Sequence, residues 1–370
     1  MKRILLASAS IIAFAGAASA EVTFSGSATL GYNDTDNIAN SSGDDEIGFY
    51  WETDIAVSFT QALDNGLTAA VAFGFNVADD SKDGKTNLGE PTKSQDWVLS
   101  LSSETGGLFF GNTDFAAQTH WASAGDMESD GFSEQDGETV LRGDITYGGV
   151  STSVSYLVDT ASDSFEQLSL GADATFGSIS VAFAYQAETD IVGYGDGGSI
   201  IDNGDFNPDE IFGVSVGTSL GGADIRLAYA SDQTSGENST GIKVSYPVGP
   251  VTLTAYYVME SEIAGDNYGV KAAYSSGPIG ATLDFQNDQG VQKVALDTTY
   301  DIGNGITALA GYYMQDDLDD DFYVAAKVAL GEGASLLVSY ADGGGDGQAD
   351  DEIGGPAYQE GTTVEVGFSF

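Results

Sequence analysis

Residues 49–77 read FYWETDIAVSFTQALDNGLTAAVAFGFNV and contain the pattern that decides the fold. Apolar side chains such as Ile55 and Phe59 alternate with polar ones such as Asp54. Alternation with a period of two is typical of β-strands that have one apolar face and one polar face. The Asp-Asn-Gly sequence at 64–66 is typical of a hairpin turn, because Asn and Gly tolerate positive φ. The segment therefore predicts two antiparallel strands joined by a tight turn.

The same pattern continues along the chain in runs of about ten residues, a length that suits a tilted strand crossing a bilayer. Tight connections lie at 64–66, 106–107, 148–149, 177–178, 221–222, 249–250, 277–278, 303–305 and 331–333. Longer connections, rich in acid and Gly, lie at 33–46, 79–95, 114–138, 159–166, 188–210, 231–239, 260–267, 287–290, 315–321 and 342–361. Short turns at one end and long loops at the other are typical of outer-membrane barrels. The sequence therefore predicts one all-β domain over 21–370, a transmembrane antiparallel up-and-down β-barrel with an even number of strands near 18–20.

Charged residues within the predicted strands fall on one face only. Three of the nine Lys and Arg residues after position 20 lie in the predicted loop 79–95, and six lie in strands: Arg142, Arg226, Lys243, Lys271, Lys293 and Lys327. The strand acids share their polar face: Glu52, Asp54, Asp96, Asp144, Asp173, Asp224, Asp284, Asp297 and Glu365. A charge facing lipid at mid-bilayer costs about 2–4 kcal/mol. The distribution predicts a polar, water-filled interior and an apolar exterior, whereas a soluble sandwich would turn its apolar face inward.

The first twenty residues have the features of a signal peptide. Lys2 and Arg3 precede an apolar stretch at 4–17, and Ala-Ser-Ala at 18–20 matches a cleavage site. We expect the mature chain to begin at Glu21; an N-terminal membrane anchor is the alternative, for which the apolar run is short. Loss of Lys2 and Arg3 changes the formal net charge from −46 to −48. Such a charge argues against nucleic acid as a partner, since phosphate binding needs clustered bases.

Three segments resemble the general diffusion porins of Gram-negative outer membranes, in particular the alphaproteobacterial type. Residues 21–28 (EVTFSGSA) resemble the first strand of those porins, 106–114 (GGLFFGNTD) resemble the fifth, and 363–370 (TVEVGFSF) resemble the closing strand. The final Phe370 resembles the terminal signal that the barrel-assembly machinery recognises. The resemblance implies homotrimers of 16-stranded barrels in outer-membrane lipid and lipopolysaccharide. The count of strands in this chain departs from that number.

The resemblance further implies that the third long loop, 114–138, folds into the barrel and narrows it. Its acids are Asp114, Asp126, Glu128, Asp130, Glu134, Asp136 and Glu138. In the family such acids face bases on the wall, for which the six strand bases named above are the candidates. Opposed charges would set up a transverse field that orients polar solutes. For any one of these acids, a solvated loop charge is the alternative reading.

These patterns predict a passive channel for small hydrophilic solutes with a modest preference for cations. A substrate-selective channel, for example for sugars, would need a line of aromatic side chains in the lumen, and Tyr50 and Tyr256 are scattered. A non-conducting structural or adhesive barrel is the third hypothesis. An enzyme is not expected, because His120 is the one histidine and the chain has no cysteine. Acidic loops could bind Ca²⁺ or be solvated; the candidate ligands are Asp319, Asp320 and Asp321.

Overall fold

The structure is a computed structural model. It describes residues 20–34, 48–79, 92–135, 138–159, 164–190, 206–261, 265–316, 318–343, 353 and 358–370. These residues form twenty β-strands: β1 Glu21–Asn33, β2 Phe49–Ala62, β3 Thr68–Asp79, β4 Thr92–Ser103, β5 Gly106–Gly111, β6 Val140–Tyr147, β7 Val150–Asp159, β8 Ser164–Phe176, β9 Ile179–Gln186, β10 Ile211–Leu220, β11 Ala223–Asp232, β12 Asn238–Val248, β13 Val251–Glu260, β14 Asn267–Ser276, β15 Ile279–Asp288, β16 Val291–Gly303, β17 Ile306–Gln315, β18 Asp321–Gly331, β19 Ala334–Asp342 and β20 Gly361–Ser369. Helix α1 (Ala116–His120) and a 3-10 helix (Glu128–Asp130) lie between β5 and β6.

The strands close into a barrel. Each strand pairs antiparallel with the next one in sequence, and β20 pairs with β1 from Ser27↔Ser369 to Asn33↔Thr363. In the described residues, closure gives every strand a partner on both sides over part or all of its length, as a sheet in lipid requires. The predicted up-and-down barrel is confirmed with twenty strands, the number that the alternating runs indicated and not the sixteen of the resembled porins.

Tight turns lie at one end of the barrel and longer connections at the other, as predicted, with one exception: the connection predicted at 287–290 is a two-residue turn, Gln289-Gly290, at the loop end. In the turn after β2, Gly66 has φ 81°, and in the turn after β16, Asn304 has φ 56°, a conformation that Asn adopts more readily than most side chains. The third long connection, 112–139, is called the third loop below, and 343–360 the tenth loop. One prediction about the second loop was wrong: Lys93 lies in β4, because that strand extends back to Thr92 by pairing with β3.

The outward face of the strands is apolar throughout. On this face the large exposed side chains include Phe24, Ile55, Phe75, Leu99, Ile145, Val154, Phe183, Val216, Leu227, Ile242, Leu253, Val270, Leu283, Leu296, Met314, Val324, Val338 and Val364. An apolar belt of this kind on a closed barrel is stable in lipid and not in water. None of the helices in the described residues is long and apolar enough to cross a membrane; this observation bears on helices alone.

Candidate functional site

The third loop lies inside the barrel, as predicted. Its helix α1 begins against the inner wall, where the backbone N–H of Ala116 donates to Ser155 Oγ on β7 (2.9 Å) and that of Ala117 donates to Ser169 Oγ on β8 (2.8 Å). Both alanines are fully buried. Small hydroxyl side chains on the polar face of the wall therefore satisfy the first N–H groups of the helix.

Glycines in the wall make room for the loop. A Cβ added at Gly171 on β8 would lie 2.1 Å from the carbonyl oxygen of Ala116, and one at Gly213 on β10 would lie 2.5 Å from the Trp121 ring. Gly241 on β12 lies likewise under the loop. The close approach of the loop backbone requires the absence of side chains at these positions.

The middle of the loop contacts the inner side of strands further around the barrel. The N–H of Ser129 donates to Ser239 Oγ on β12 (3.0 Å). The carboxylate of Asp126, which is buried, accepts a hydrogen bond from Gln286 Nε2 on β15 (2.9 Å). The loop thus crosses the inner side of the barrel from β6 to β15 and occupies part of its cross-section.

One predicted wall base stands among predicted loop acids. Carboxylate oxygens of Asp126, Glu128 and Asp288 lie within 4.8 Å of one another. Lys293 Nζ lies 2.9 Å from Asp288 Oδ2, and this lysine is only 7% exposed. Since a buried lysine is costly without a carboxylate partner, Asp288 stabilises the charge of Lys293, and the pair lies beside the two loop carboxylates.

The aspartates considered as Ca²⁺ ligands lie elsewhere. Asp319, Asp320 and Asp321 are not part of the acidic group above, and within the described residues that group is the one with mutually close ligand atoms. Asp320 accepts a hydrogen bond from the Tyr312 hydroxyl (2.5 Å). An acidic cluster alone is equally compatible with solvated or hydrogen-bonded carboxylates.

Other predicted loop acids bond within the loop. Asp130 accepts a hydrogen bond from Trp121 Nε1 (2.8 Å), and Glu134 accepts one from Gln118 Nε2 (2.6 Å). Glu138 is buried at the base of the loop. These contacts fix the conformation of the loop, so the charges of these acids act from set positions.

Asp114 and Arg142 meet where the loop leaves the wall. Asp114 is exposed, and its backbone oxygen accepts a hydrogen bond from Arg142 (2.9 Å). Arg142 Nε also lies 3.0 Å from Asp144 Oδ1 on the same strand. Asp136, the remaining predicted loop acid, lies outside the described residues.

All six predicted wall bases occupy strand positions that alternate with the lipid-facing ones. Lys271 Nζ lies 2.8 Å from Asp284 Oδ2 on β15, so this base, like Arg142 and Lys293, has a carboxylate of the wall as a partner. Arg226 donates to the backbone oxygen of Ser123 in the third loop (3.4 Å). Five of the bases are on β6 to β16, beneath or beside the loop, and Lys327 is on β18.

His120 links the loop to two strands. Its Nδ1 lies 2.5 Å from Asp173 Oδ1 on β8, and its Nε2 lies 2.7 Å from Ser153 Oγ on β7. This order of groups is also found in hydrolase triads. Here the serine is 7% exposed and lies in a strand beneath the loop, so the arrangement fastens the loop to the wall.

A second segment also turns inward, which the sequence reasoning did not predict. Ile353 of the tenth loop is buried, and its N–H donates to Gln286 Oε1 (2.8 Å), the same side chain whose Nε2 binds Asp126 of the third loop. The ring of Tyr358 lies 4.7 Å from that of Tyr323 on β18. The third and tenth loops therefore meet at one glutamine of β15.

The inner wall beneath the tenth loop is aromatic. The hydroxyls of Tyr313 and Tyr323 both donate to Asp297 Oδ1, at 2.7 and 2.8 Å. Burial raises the pKa of Tyr358, and the charge of Asp297 adds to that increase. The signal for these residues was present in the sequence, because Tyr313 and Tyr323 follow the lipid-facing Tyr312 and Phe322 in the polar phase.

The chain matches the family model described as "Gram-negative porin" over residues 7–320. No curated protein matches it. Among solved structures, it is similar to a triple mutant of Rhodopseudomonas blastica porin at 15% identity and a TM-score of 0.45, covering 95% of this chain and 100% of that one. A second mutant of the Rh. blastica porin has 18% identity and a TM-score of 0.42 with the same coverage.

Proposed function

This chain belongs to the Gram-negative porin family and is a diffusion channel of the outer membrane, and we propose that this channel prefers cations and is narrowed by its third loop. It is a channel and not an enzyme. The observation that carries the proposal is a closed barrel with its six predicted wall bases on the inner face, crossed inside by an acidic loop. A formal net charge of −46 for the whole chain, or −48 without Lys2 and Arg3, concentrates cations and repels anions at the mouths of the pore.

The placement of charges supports a transverse field at the constriction. Among the loop acids that the structure describes, Asp114 and Glu128 are the exposed ones. Lys327 is exposed on β18, outside the part of the wall from β6 to β15 along which the third loop lies. The field would run from Lys327 to the loop carboxylates. The bases beneath the loop would change the strength of this field near the loop.

The aromatic side chains do not favour a sugar-selective channel. Tyr313 and Tyr323 of the wall and Tyr358 of the tenth loop form one group. A sugar-selective channel needs a row of aromatic rings along the path of the solute. A non-conducting barrel is not favoured either, since twenty strands enclose a wide lumen.

Neutralising wall bases is expected to increase the cation preference. In a variant combining Arg142→Gln, Lys243→Gln and Lys271→Gln, three positive charges leave the lumen, so the reversal potential in a KCl gradient should shift further towards the potassium equilibrium potential. The control is Lys82→Gln with Lys85→Gln, two charges of the second loop. An unchanged reversal potential in the triple variant would mean that these bases do not lie along the path of the ions.

Export and assembly follow the family pattern in this proposal. Residues 1–20 are a cleaved signal peptide, a reading that is supported by the start of β1 at Glu21. Phe370 is exposed on the lipid side and exchanges backbone hydrogen bonds with Gly26 of β1 (2.9 and 3.2 Å), a position at which the barrel-assembly machinery can bind the closing strand. The mature chain forms homotrimers, and its acidic loops contact lipopolysaccharide.

A further inference from the structure

We propose that Arg226 and Lys243 form an oxyanion-binding subsite on the lumen wall, suited to phosphate in preference to sulfate. The subsite lies between the third loop and the barrel end that carries the tight turns. Arg226, at its upper boundary, donates a hydrogen bond to the backbone oxygen of Ser123 in that loop. The inference rests on the proposed channel for its biological use, because solutes that pass the third loop meet this part of the wall next.

Two bases stand directly opposite each other. Arg226 on β11 and Lys243 on β12 are cross-strand partners, and both point inward because their neighbours Leu227 and Ile242 are exposed on the lipid face. Like charges at directly opposite positions destabilise a sheet. The register of β11 against β12 therefore brings two of the chain's 11 Lys and Arg residues side by side on the lumen wall.

The two bases line a cavity of about 540 Å³. The other polar residues around it are mainly hydroxyl-bearing, and on the lumen side they include Thr175, Ser180, Ser219 and Ser245. Hydroxyl groups and bases are the donors that phosphate oxygens accept from. A Cβ at Gly217 would lie 2.6 Å from Ser180 Oγ and 3.8 Å from Arg226 Nε, so this glycine keeps the space between the donors open.

One carboxylate in the same cavity sets the choice of anion. Asp224 lies two residues from Arg226 on β11, and its Oδ1 accepts a hydrogen bond from Ser219. A carboxylate repels a fully deprotonated anion such as sulfate. Phosphate keeps at least one O–H at neutral pH, because its last proton is lost only in strongly basic solution, and that O–H can donate to the carboxylate. Asp224 therefore favours hydroxyl-bearing phosphate.

The direct test measures phosphate binding to the folded, detergent-solubilised barrel by ³¹P line broadening, with sulfate as competitor. We expect saturable binding, for which sulfate competes about tenfold more weakly than phosphate. Arg226→Gln with Lys243→Gln should weaken phosphate binding about tenfold or more, and Arg226→Lys should weaken it less because both positive charges remain and only the forked donors of the guanidinium are lost. Lys327→Gln is the matched control, since it removes a lumen charge outside the cavity.

Asp224→Asn is the sharper variant. Loss of the carboxylate should raise sulfate affinity to that of phosphate while leaving phosphate bound. Equal affinity of the unmodified protein for the two anions, or phosphate binding that the Arg226/Lys243 double variant leaves intact, would overturn the subsite. This readout needs no conductance, so a failure of the proposed channel would be seen separately in bilayer recordings.

Discussion

Leu283→Arg is expected to destabilise the folded barrel by about 2–4 kcal/mol. Leu283 is the fifth of the ten residues of β15 and is 51% exposed on the outward face. In a bilayer that face meets hydrocarbon near its midplane, where a guanidinium loses its hydration without gaining a partner. In water the same substitution at an exposed site would cost little.

Thr282→Arg is the matched control, one residue away on the same strand. Thr282 faces the lumen opposite Asp297 of β16, so an arginine there meets water and a carboxylate. We expect a change below about 1 kcal/mol. Urea unfolding in lipid vesicles measures both variants. Similar losses at the two positions would mean that the outward face does not contact lipid.

Removal of the third loop is expected to raise the single-channel conductance severalfold. Gly111 and Val140 are a Cα pair at the ends of β5 and β6, so a short Gly-Asn hairpin can replace residues 113–138 without moving either strand. The loop occupies lumen along the wall from β6 to β15, and its removal widens the path of ions. The same variant should also lose stability, because Ser155, Ser169 and Ser239 lose their partners.

The comparison for this variant is a shortened rim loop. Residues 234–236 are exposed between β11 and β12, and their removal leaves the lumen unchanged. Planar-bilayer recordings in symmetric KCl give the conductance of each protein. A truncated third loop with the conductance of the unmodified protein would show that the narrowest point of the pore lies elsewhere.

The barrel could be predicted from the sequence because its signals are local. Alternation of apolar and polar residues gives the strands and their faces, and turn sequences such as Gly303-Asn304-Gly305 give the hairpins. The six predicted wall bases could be assigned to the inner face because a charge on the lipid-facing side costs too much free energy.

The contacts inside the lumen depend on register and on loop paths, which no local pattern encodes. The sequence separates His120 from Ser153 and Asp173 by 33 and 53 residues, and the path of the loop brings them together. The direct pairing of Arg226 with Lys243 follows from the register of β11 against β12. The inward turn of the tenth loop at Ile353 has no counterpart in composition, since the loop is acidic and rich in Gly like the others.

The measurement that tests the account most directly is single-channel recording of the purified, refolded protein in a planar bilayer under a KCl gradient. We expect open channels, in steps of three for a trimer, with a reversal potential on the cation side. A protein that is folded and inserted but passes no current would contradict the channel itself. Open channels with a reversal potential on the anion side would contradict the proposal that acidic charge makes the pore prefer cations.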